Sequence, residues 1–206
     1  MTFPLERPAR LAVFASGRGS NLRSLVTAFP SGDPLASVVL VVSNKRTAGA
    51  LSFASANGVP ARAVPFGSDR DRFEREVTTL LGAFKIDLIC LAGFMRVLSP
   101  AFTARYAGRI LNVHPSLLPA FPGLHAQRQA LSAGVDASGC TVHFVDAGVD
   151  TGAVIVQRPV PVFPDDTEAA LAARILNEEH RAYPDAVRRV LTGRAQARAG
   201  TLEVSA

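Results

Sequence analysis

The chain has no tryptophan, only two cysteines, two methionines and two tyrosines, and only two lysines (Lys45 and Lys85) among 206 residues. Each scarcity narrows the field. Cys90 and Cys140 are far apart, form no C-x-x-C pair and stand in apolar segments. Neither a metal site nor a disulfide framework is indicated. Buried free thiols suit a reducing cytoplasm, which is the expected location. Aromatic residues make up 7% of the chain, and the basic residues are scattered. A nucleic-acid binder would be expected to show a concentrated basic stripe with interleaved aromatics, so no nucleic acid is expected as a partner. No run approaches the ~18 apolar residues of a membrane span. The first eight residues, Met-Thr-Phe-Pro-Leu-Glu-Arg-Pro, are charged and broken by proline, and carry no signal-peptide apolar stretch. No membrane association is therefore expected.

What is present is a large apolar complement. Hydrophobic residues reach 48%, enough for a substantial core in one large domain or two small ones. The net charge is +5, from 22 basic and 17 acidic residues. A modest cluster lies at Arg181, Arg188, Arg189, Arg194 and Arg198. It reads as a solvated basic surface, or as a mild attraction for small anions. In the first half, short apolar runs at 11–15, 37–43, 61–64, 87–92 and 109–114 alternate with helical patterns at 21–29, 48–57 and 71–84. Continuous apolar runs separated by helices indicate a parallel sheet covered on both faces. Strands at 139–145 and 153–161 and a long helix at 167–191 follow. Thr167 is the expected N-cap; with Ala170 at N3 no capping box forms, but Glu168 in the first turn suits the helix dipole. Residues 195–206 are small and polar and are expected to be less ordered. No internal repeat, linker or domain boundary is visible.

Three local patterns carry chemistry. Leu111-Asn112-Val113-His114-Pro115 ends an apolar strand with an amide and an imidazole two residues apart. Residues i and i+2 share a strand face, so Asn112 and His114 point the same way. An amide donor beside a titratable ring suits the stabilisation of a carbonyl oxygen becoming an oxyanion. Read alone, the pair is equally a strand end with two satisfied polar groups. Second, Gly17-Arg18-Gly19-Ser20-Asn21 follows a strand and opens a helix, an arrangement suited to a phosphate. Leu22 replaces the third glycine of a dinucleotide fingerprint, and Ser43-Asn44-Lys45 supplies no acidic residue after the second strand. Both departures disfavour NAD and favour a phosphate monoester. A tight turn with a Ser/Asn cap is the plainer alternative. Third, Asp150 lies in the loop between the two late strands. A carboxylate can orient an imidazole and relay its proton, although a loop aspartate more often caps a turn.

With these residues in view, the chain resembles the glycinamide ribonucleotide formyltransferases, folate-dependent enzymes of purine synthesis. The resemblance runs from about residue 11 to about residue 193. It rests on Gly17-Arg18-Gly19-Ser20-Asn21-Leu22, Ser43-Asn44-Lys45, Leu91-Ala92-Gly93-Phe94-Met95-Arg96-Val97-Leu98-Ser99-Pro100, Asn112-Val113-His114-Pro115-Ser116-Leu117-Leu118-Pro119, Pro122-Gly123-Leu124-His125 and the Asp150 loop. It implies an α/β, Rossmann-like formyltransferase fold with a mostly parallel twisted sheet and helices on both faces. It also implies a single formyltransferase domain. Residues 1–106 would form a nucleotide-binding half, 107–194 a folate-binding and catalytic half, and 195–206 a tail.

The resemblance further assigns roles. Asn112, His114 and Asp150 match the catalytic trio. Gly19, Ser20 and Asn21 match the loop on the nucleotide phosphate, and Glu179 a carboxylate on the ribose hydroxyls. Arg70 and Met95, Arg96, Val97 and Leu98, together with Asn112, match folate contacts, with the backbone of residues 144–150 completing the pterin pocket. The implied reaction moves the formyl group of 10-formyltetrahydrofolate, a co-substrate, to the amine of glycinamide ribonucleotide, without metal or covalent enzyme intermediate. A monomer or homodimer is expected, with these small molecules as partners. His143 would line the site or be a hydrogen-bonded strand histidine. His125 would belong to the loop after the catalytic strand, and His180 would be structural. Arg18 is left unassigned. Two rival readings remain. One is a methionyl-tRNA formyltransferase or a formyltetrahydrofolate hydrolase, which share the Asn-x-His stretch but carry further domains. The other is a catalytically silent folate- or nucleotide-binding protein on the same fold.

Overall fold

A computed structural model describes residues 3–67, 69–198 and 201–204. The first strand, β1 (Ala9–Phe14), leads into α1 (Ser20–Ala28). The chain continues through β2 (Ala36–Ser43), α2 (Gly49–Ala56), β3 (Ala61–Ala63), α3 (Arg70–Ala83), β4 (Leu88–Leu91), α4 (Pro100–Arg105) and β5 (Ile110–His114). It then forms α5 (Ala126–Ala133), β6 (Ala137–Phe144), β7 (Val154–Pro161) and α6 (Glu168–Leu191). The strands make one seven-stranded sheet in the order β3-β2-β1-β4-β5-β6-β7. The first five pair in parallel, and β6 and β7 join antiparallel. This is the mostly parallel α/β sheet that the apolar runs require.

Side-chain alternation sorts the core onto two faces. Leu11 and Val13 of β1 pack with Leu22, Leu25, Leu111, Ile175, Tyr183 and Val187 on the face covered by α1 and α6. Ala12 and Phe14 pack with Phe73, Val77, Phe94 and Phe102 on the face covered by α3 and α4. The Tyr183 hydroxyl lies 2.9 Å from the Leu91 carbonyl oxygen and 3.1 Å from that of Leu111, tying α6 to β4 and β5. Thr167 caps α6 as expected, its Oγ1 accepting from the Ala170 N–H at 3.1 Å.

Two helices went unanticipated. In α4, Ser99 is the N-cap and Pro100 the first helical residue, a start signal attached to only six residues. In α5, Ala126 and Ala130 are the buried positions, and alanines one turn apart give little hydrophobic contrast. The C-terminal segment holds an element that the sequence did not announce. Ala195–Arg198 (β8) and Thr201–Val204 (β9) pair antiparallel in a separate two-stranded sheet. Small polar residues concealed the pairing, because a two-stranded ribbon needs little apolar patterning. Residues 199–200 and 205–206 of that segment lie outside the described residues.

The topology positions the site. From β1 the chain runs outward to β2 and β3, then returns across β1 to place β4 and β5 on its other side. The loops after β1 and β4 therefore diverge, leaving a crevice at the carboxyl ends of the parallel strands, where open α/β sheets take ligands. Among the described residues no helix is long and apolar enough to cross a membrane.

Candidate active site

An open cleft of about 1170 Å³ occupies this crevice. Arg70 from the first turn of α3, residues 93–98 after β4, Asn112 and His114 from β5, His143 from β6, and residues 145, 146 and 148–150 line it. The walls mix apolar side chains (Phe94, Val97, Leu98, Val145) with the cations Arg70 and Arg96.

At its centre four polar side chains converge. Asn112 and His143 are register partners across the β5–β6 ladder, and the Asn112 Nδ2 lies 3.2 Å from the His143 Nε2. Nδ2 also donates to the Asp150 Oδ1 at 3.4 Å. The His114 Nδ1 is 3.3 Å from the Asp150 Oδ2, and the His143 Nε2 is 3.5 Å from Oδ1. The Gly123 N–H donates to Oδ2 at 2.9 Å. The strand end thus brings Asn112 and His114 to one side, and a carboxylate 36 residues downstream closes on both.

The carbonyl partners constrain the rings. The His143 Nδ1 lies 2.7 Å from the Phe144 carbonyl oxygen, which only accepts, so Nδ1 carries the proton. Its Nε2 then accepts from Asn112 when the ring is neutral and faces Asp150 as a donor when the ring is charged. The His114 Nε2 lies 2.9 Å from the Phe121 carbonyl oxygen and is likewise protonated. A proton added at its Nδ1 gives an imidazolium facing the Asp150 carboxylate. His114 is 4% exposed, so that charge pair is largely shielded from water.

Partial burial acts to raise the Asp150 pKa. The hydrogen bond from His143, the Gly123 N–H and the nearby histidine charges outweigh it and hold the carboxyl below its ordinary value. Asp150 is thus a carboxylate at neutral pH. Its backbone is left-handed, with φ 55°, a conformation that Asp and Asn tolerate better than most side chains. The loop behind it depends on Gly152, where an added Cβ would run into the Phe144 carbonyl oxygen. Phe121 and His125, in the loop between β5 and α5, also have positive φ. Such conformations concentrate at functional sites.

The second predicted cluster lies at the start of α1. Gly19 is its N-cap with φ 82° and provides no side-chain cap bond. The first-turn N–H groups therefore face outward with the positive end of the helix dipole behind them. Only glycine fits there, because an added Cβ would come within 2.9 Å of the Ala50 Cα. The Asn21 Nδ2 donates to the Glu179 Oε2 at 2.6 Å, while the Asn21 Oδ1 is buried without a partner among the described residues. Burial pushes the Glu179 carboxyl up, only partly offset by the Asn21 bond. Gly19, Ser20, Asn21 and Glu179 are thus assembled beside one another but outside the lining of the main cleft.

His143 joins the cluster rather than standing apart as a strand histidine, and the signal was its alternation with Thr141 on a strand facing β5. The histidine at 125 lines the cleft and precedes α5. His180 lies outside it, with its Nε2 buried and unpartnered among the described residues. Ser16 and Asn44 were not anticipated. Ser16 donates to the Asn44 Oδ1 at 2.6 Å and accepts from the Met95 N–H at 2.9 Å, joining the ends of β1 and β2 to the cleft wall. Cys90 and Cys140 are buried and free. Burial pushes both thiols up to about 12, which leaves almost no thiolate to act as a nucleophile.

The family model for formyl transferase matches residues 9–187. The phosphoribosylglycinamide formyltransferase of Escherichia coli is 44% identical over 177 residues, covering 84% of this chain and 83% of that protein. The trifunctional purine biosynthetic protein adenosine-3 of Drosophila melanogaster is 50% identical over 194 residues, but the chain spans only 14% of its length. The crystal structure of glycinamide ribonucleotide transformylase 1 from Symbiobacterium toebii superposes with a TM-score of 0.91 at 42% identity, covering 97% of this chain and 95% of that one. Sequence and fold agree, and the chain belongs to the formyl transferase family, among the phosphoribosylglycinamide formyltransferases.

Proposed function

We propose that this enzyme transfers the formyl group of 10-formyltetrahydrofolate to the primary amine of glycinamide ribonucleotide. The observation that carries the reading is the convergence of Asn112, His114, His143 and Asp150 in a cleft whose lining sets apolar side chains beside Arg70 and Arg96, with Asp69, Asp71 and Asp146 also on it. That lining fits a flat heteroaromatic ring with an anionic tail. Arg70 and Arg96 supply charge for carboxylates, and Met95, Val97 and Leu98 give apolar contact. Gly19, Ser20 and Asn21 would hold the acceptor's phosphate at the start of α1, and Glu179 its ribose hydroxyls.

The chemistry follows from the protonation pattern. The acceptor amine attacks the formyl carbon, and the carbonyl oxygen takes the negative charge. Asn112 donates an N–H toward that oxygen, and protonated His114 adds a positive charge beside it. A donor of this kind contributes about 2.7–4 kcal/mol to the transition state. Asp150 stabilises the imidazolium and, through water, accepts the proton leaving the attacking nitrogen. That proton is delivered to folate N10 as its bond to the formyl carbon breaks. The products are the formamide and tetrahydrofolate, so every atom is accounted for without a metal or a covalent enzyme intermediate.

The ligand sites cross the proposed division of the single domain. Arg70 and Met95–Leu98 of the half spanning 1–106 face Asn112, while Glu179 of the half spanning 107–194 reaches back to Asn21. A small-molecule enzyme of the cytoplasm, acting as monomer or homodimer without nucleic acid or membrane, is the setting we propose. The test is tetrahydrofolate release from 10-formyltetrahydrofolate with and without glycinamide ribonucleotide. Release that requires the nucleotide, with formylated product, is expected. Release without it would identify a hydrolase, and no release in either case would overturn the assignment.

A further inference from the structure

The wall of the cleft between β4 and α4 is an irregular segment, residues 93–99, and it is held from outside. At one end the Ser16 N–H donates to the Gly93 carbonyl oxygen at 3.0 Å, and the Met95 N–H donates to the Ser16 Oγ at 2.9 Å. At the other end Glu74 of α3 takes both donors of Ser99. Its Oε1 accepts from the Ser99 N–H at 2.6 Å and its Oε2 from the Ser99 Oγ–H at 2.5 Å. The same Ser99 Oγ accepts from the Phe102 N–H at 3.1 Å, so the carboxylate stands behind the cap of α4. Phe73, next to Glu74, stacks on Phe94 with ring centroids 5.8 Å apart. Between these anchors Met95 and Val97 project into the cleft, 59% and 61% exposed.

Glu74 is 8% exposed, and no ion pair to it is found among the described residues. A buried carboxylate is costly unless its hydrogen bonds are made, and both of the bonds found go to one residue of the cleft wall. Arg70 is four residues earlier on α3, on the same helix face, and lines the same cleft. Two walls of the site are therefore joined through one side chain.

We propose that Glu74 is a positioning residue for the folate end of the cleft: by gripping Ser99 with both carboxylate oxygens it fixes the spacing between Arg70 on α3 and the segment 95–98. This rests on the reading that the cleft takes 10-formyltetrahydrofolate. Glu74→Gln is the direct perturbation, since its amide nitrogen would oppose one of the two Ser99 donors. Losing one charged hydrogen bond should raise the KM for 10-formyltetrahydrofolate by about tenfold. The KM for glycinamide ribonucleotide and kcat should stay within about twofold. Because Glu74 acts through Arg70, the KM increase in Glu74→Gln/Arg70→Ala should fall short of the product of the single effects. Equal changes in both KM values, an altered Tm with an unchanged folate KM, or a multiplicative double variant would overturn the proposal. If Glu74→Gln does not fold, Ser99→Ala carries the test, losing only the hydroxyl bond. It should raise the folate KM by about threefold to fivefold, and no change would refute the clamp. Titration with tetrahydrofolate in the absence of turnover should show the same weakening. Wild-type protein without nucleotide-dependent turnover would sink the functional reading. A normal wild type with unaffected variants would sink only the role of Glu74.

Discussion

Asp150→Asn isolates the charge of the carboxylate at the centre of the site. Asparagine keeps the shape and tolerates the left-handed backbone that Asp150 adopts at φ 55°. Alanine would confuse charge with backbone strain. In the variant, Oδ1 of the new amide can still accept from the Gly123 N–H, now 2.9 Å from the Asp150 Oδ2. Its nitrogen then faces the Asn112 Nδ2, now 3.4 Å from the other carboxylate oxygen, where donor meets donor. His114 and His143 lose an anion at 3.3 Å and 3.5 Å. Neither ring is then stabilised as an imidazolium, and the proton released by the amine has no carboxylate to receive it. Acid–base assistance is worth about 10²–10⁴-fold, and kcat should fall by that factor. Folate binding should change little, because the apolar walls and Arg70 are untouched. Stability carries its own signature. The folded pKa of Asp150 is depressed, so its contribution is fully present above the unfolded value of about 3.9 and is lost as pH falls through the folded value. The Tm difference between wild type and variant should therefore be level near neutrality and close in acid. The assay is stopped-flow release of tetrahydrofolate with a parallel binding titration. A kcat within about threefold of wild type would remove Asp150 from the proton path. Loss of folate binding in step with kcat would make its role structural.

Four further outcomes follow from the geometry. Asn112→Ala deletes the oxyanion donor and should lower kcat by roughly 10²–10³-fold with little effect on either KM in steady-state assays. Gly19→Ala forces a Cβ against the Ala50 Cα at 2.9 Å in a left-handed conformation, which should cost about 1–3 kcal/mol and raise the KM for glycinamide ribonucleotide. Glu179→Gln removes a carboxyl whose pKa burial raises and offers an N–H to the unpartnered Asn21 Oδ1. The ionised form is the penalised one, so calorimetry should show a higher Tm at neutral pH, a gain that shrinks in acid, together with weaker binding of the nucleotide. Tyr183→Phe strips a hydroxyl from between the Leu91 and Leu111 carbonyls and should cost about 1–3 kcal/mol by denaturant unfolding.

The legibility of this chain depended on the distance over which each signal acts. Buried parallel strands announce themselves within a few residues, and β1, β2, β4 and β5 were readable as apolar runs. The Asn112–His114 pair was also local, because strand periodicity alone puts both side chains on one face. Helices α4 and α5 were not readable, since six residues after a proline, or an alanine pair one turn apart, contrast too little with a loop. The closing of Asp150 onto the pair lies beyond any local rule, and only resemblance assigned it. It depends on β6 and β7 reversing direction and on Asn112 facing His143 across the ladder. It also depends on a loop that needs glycine at 152 and a left-handed aspartate at 150. Glu74 escaped for a related reason: on α3 it reads as one more polar helix residue, and its partner is 25 residues away. The positions where local patterns fail are those where the backbone bends or a charge is buried to bring distant groups together. Such violations are expected at a site whose geometry has a function to serve. A polar residue buried against its helix pattern, with all its bonds directed to a cleft wall, is therefore a better guide to machinery than one exposed in the cleft itself. That criterion selects Glu74 without reference to any motif.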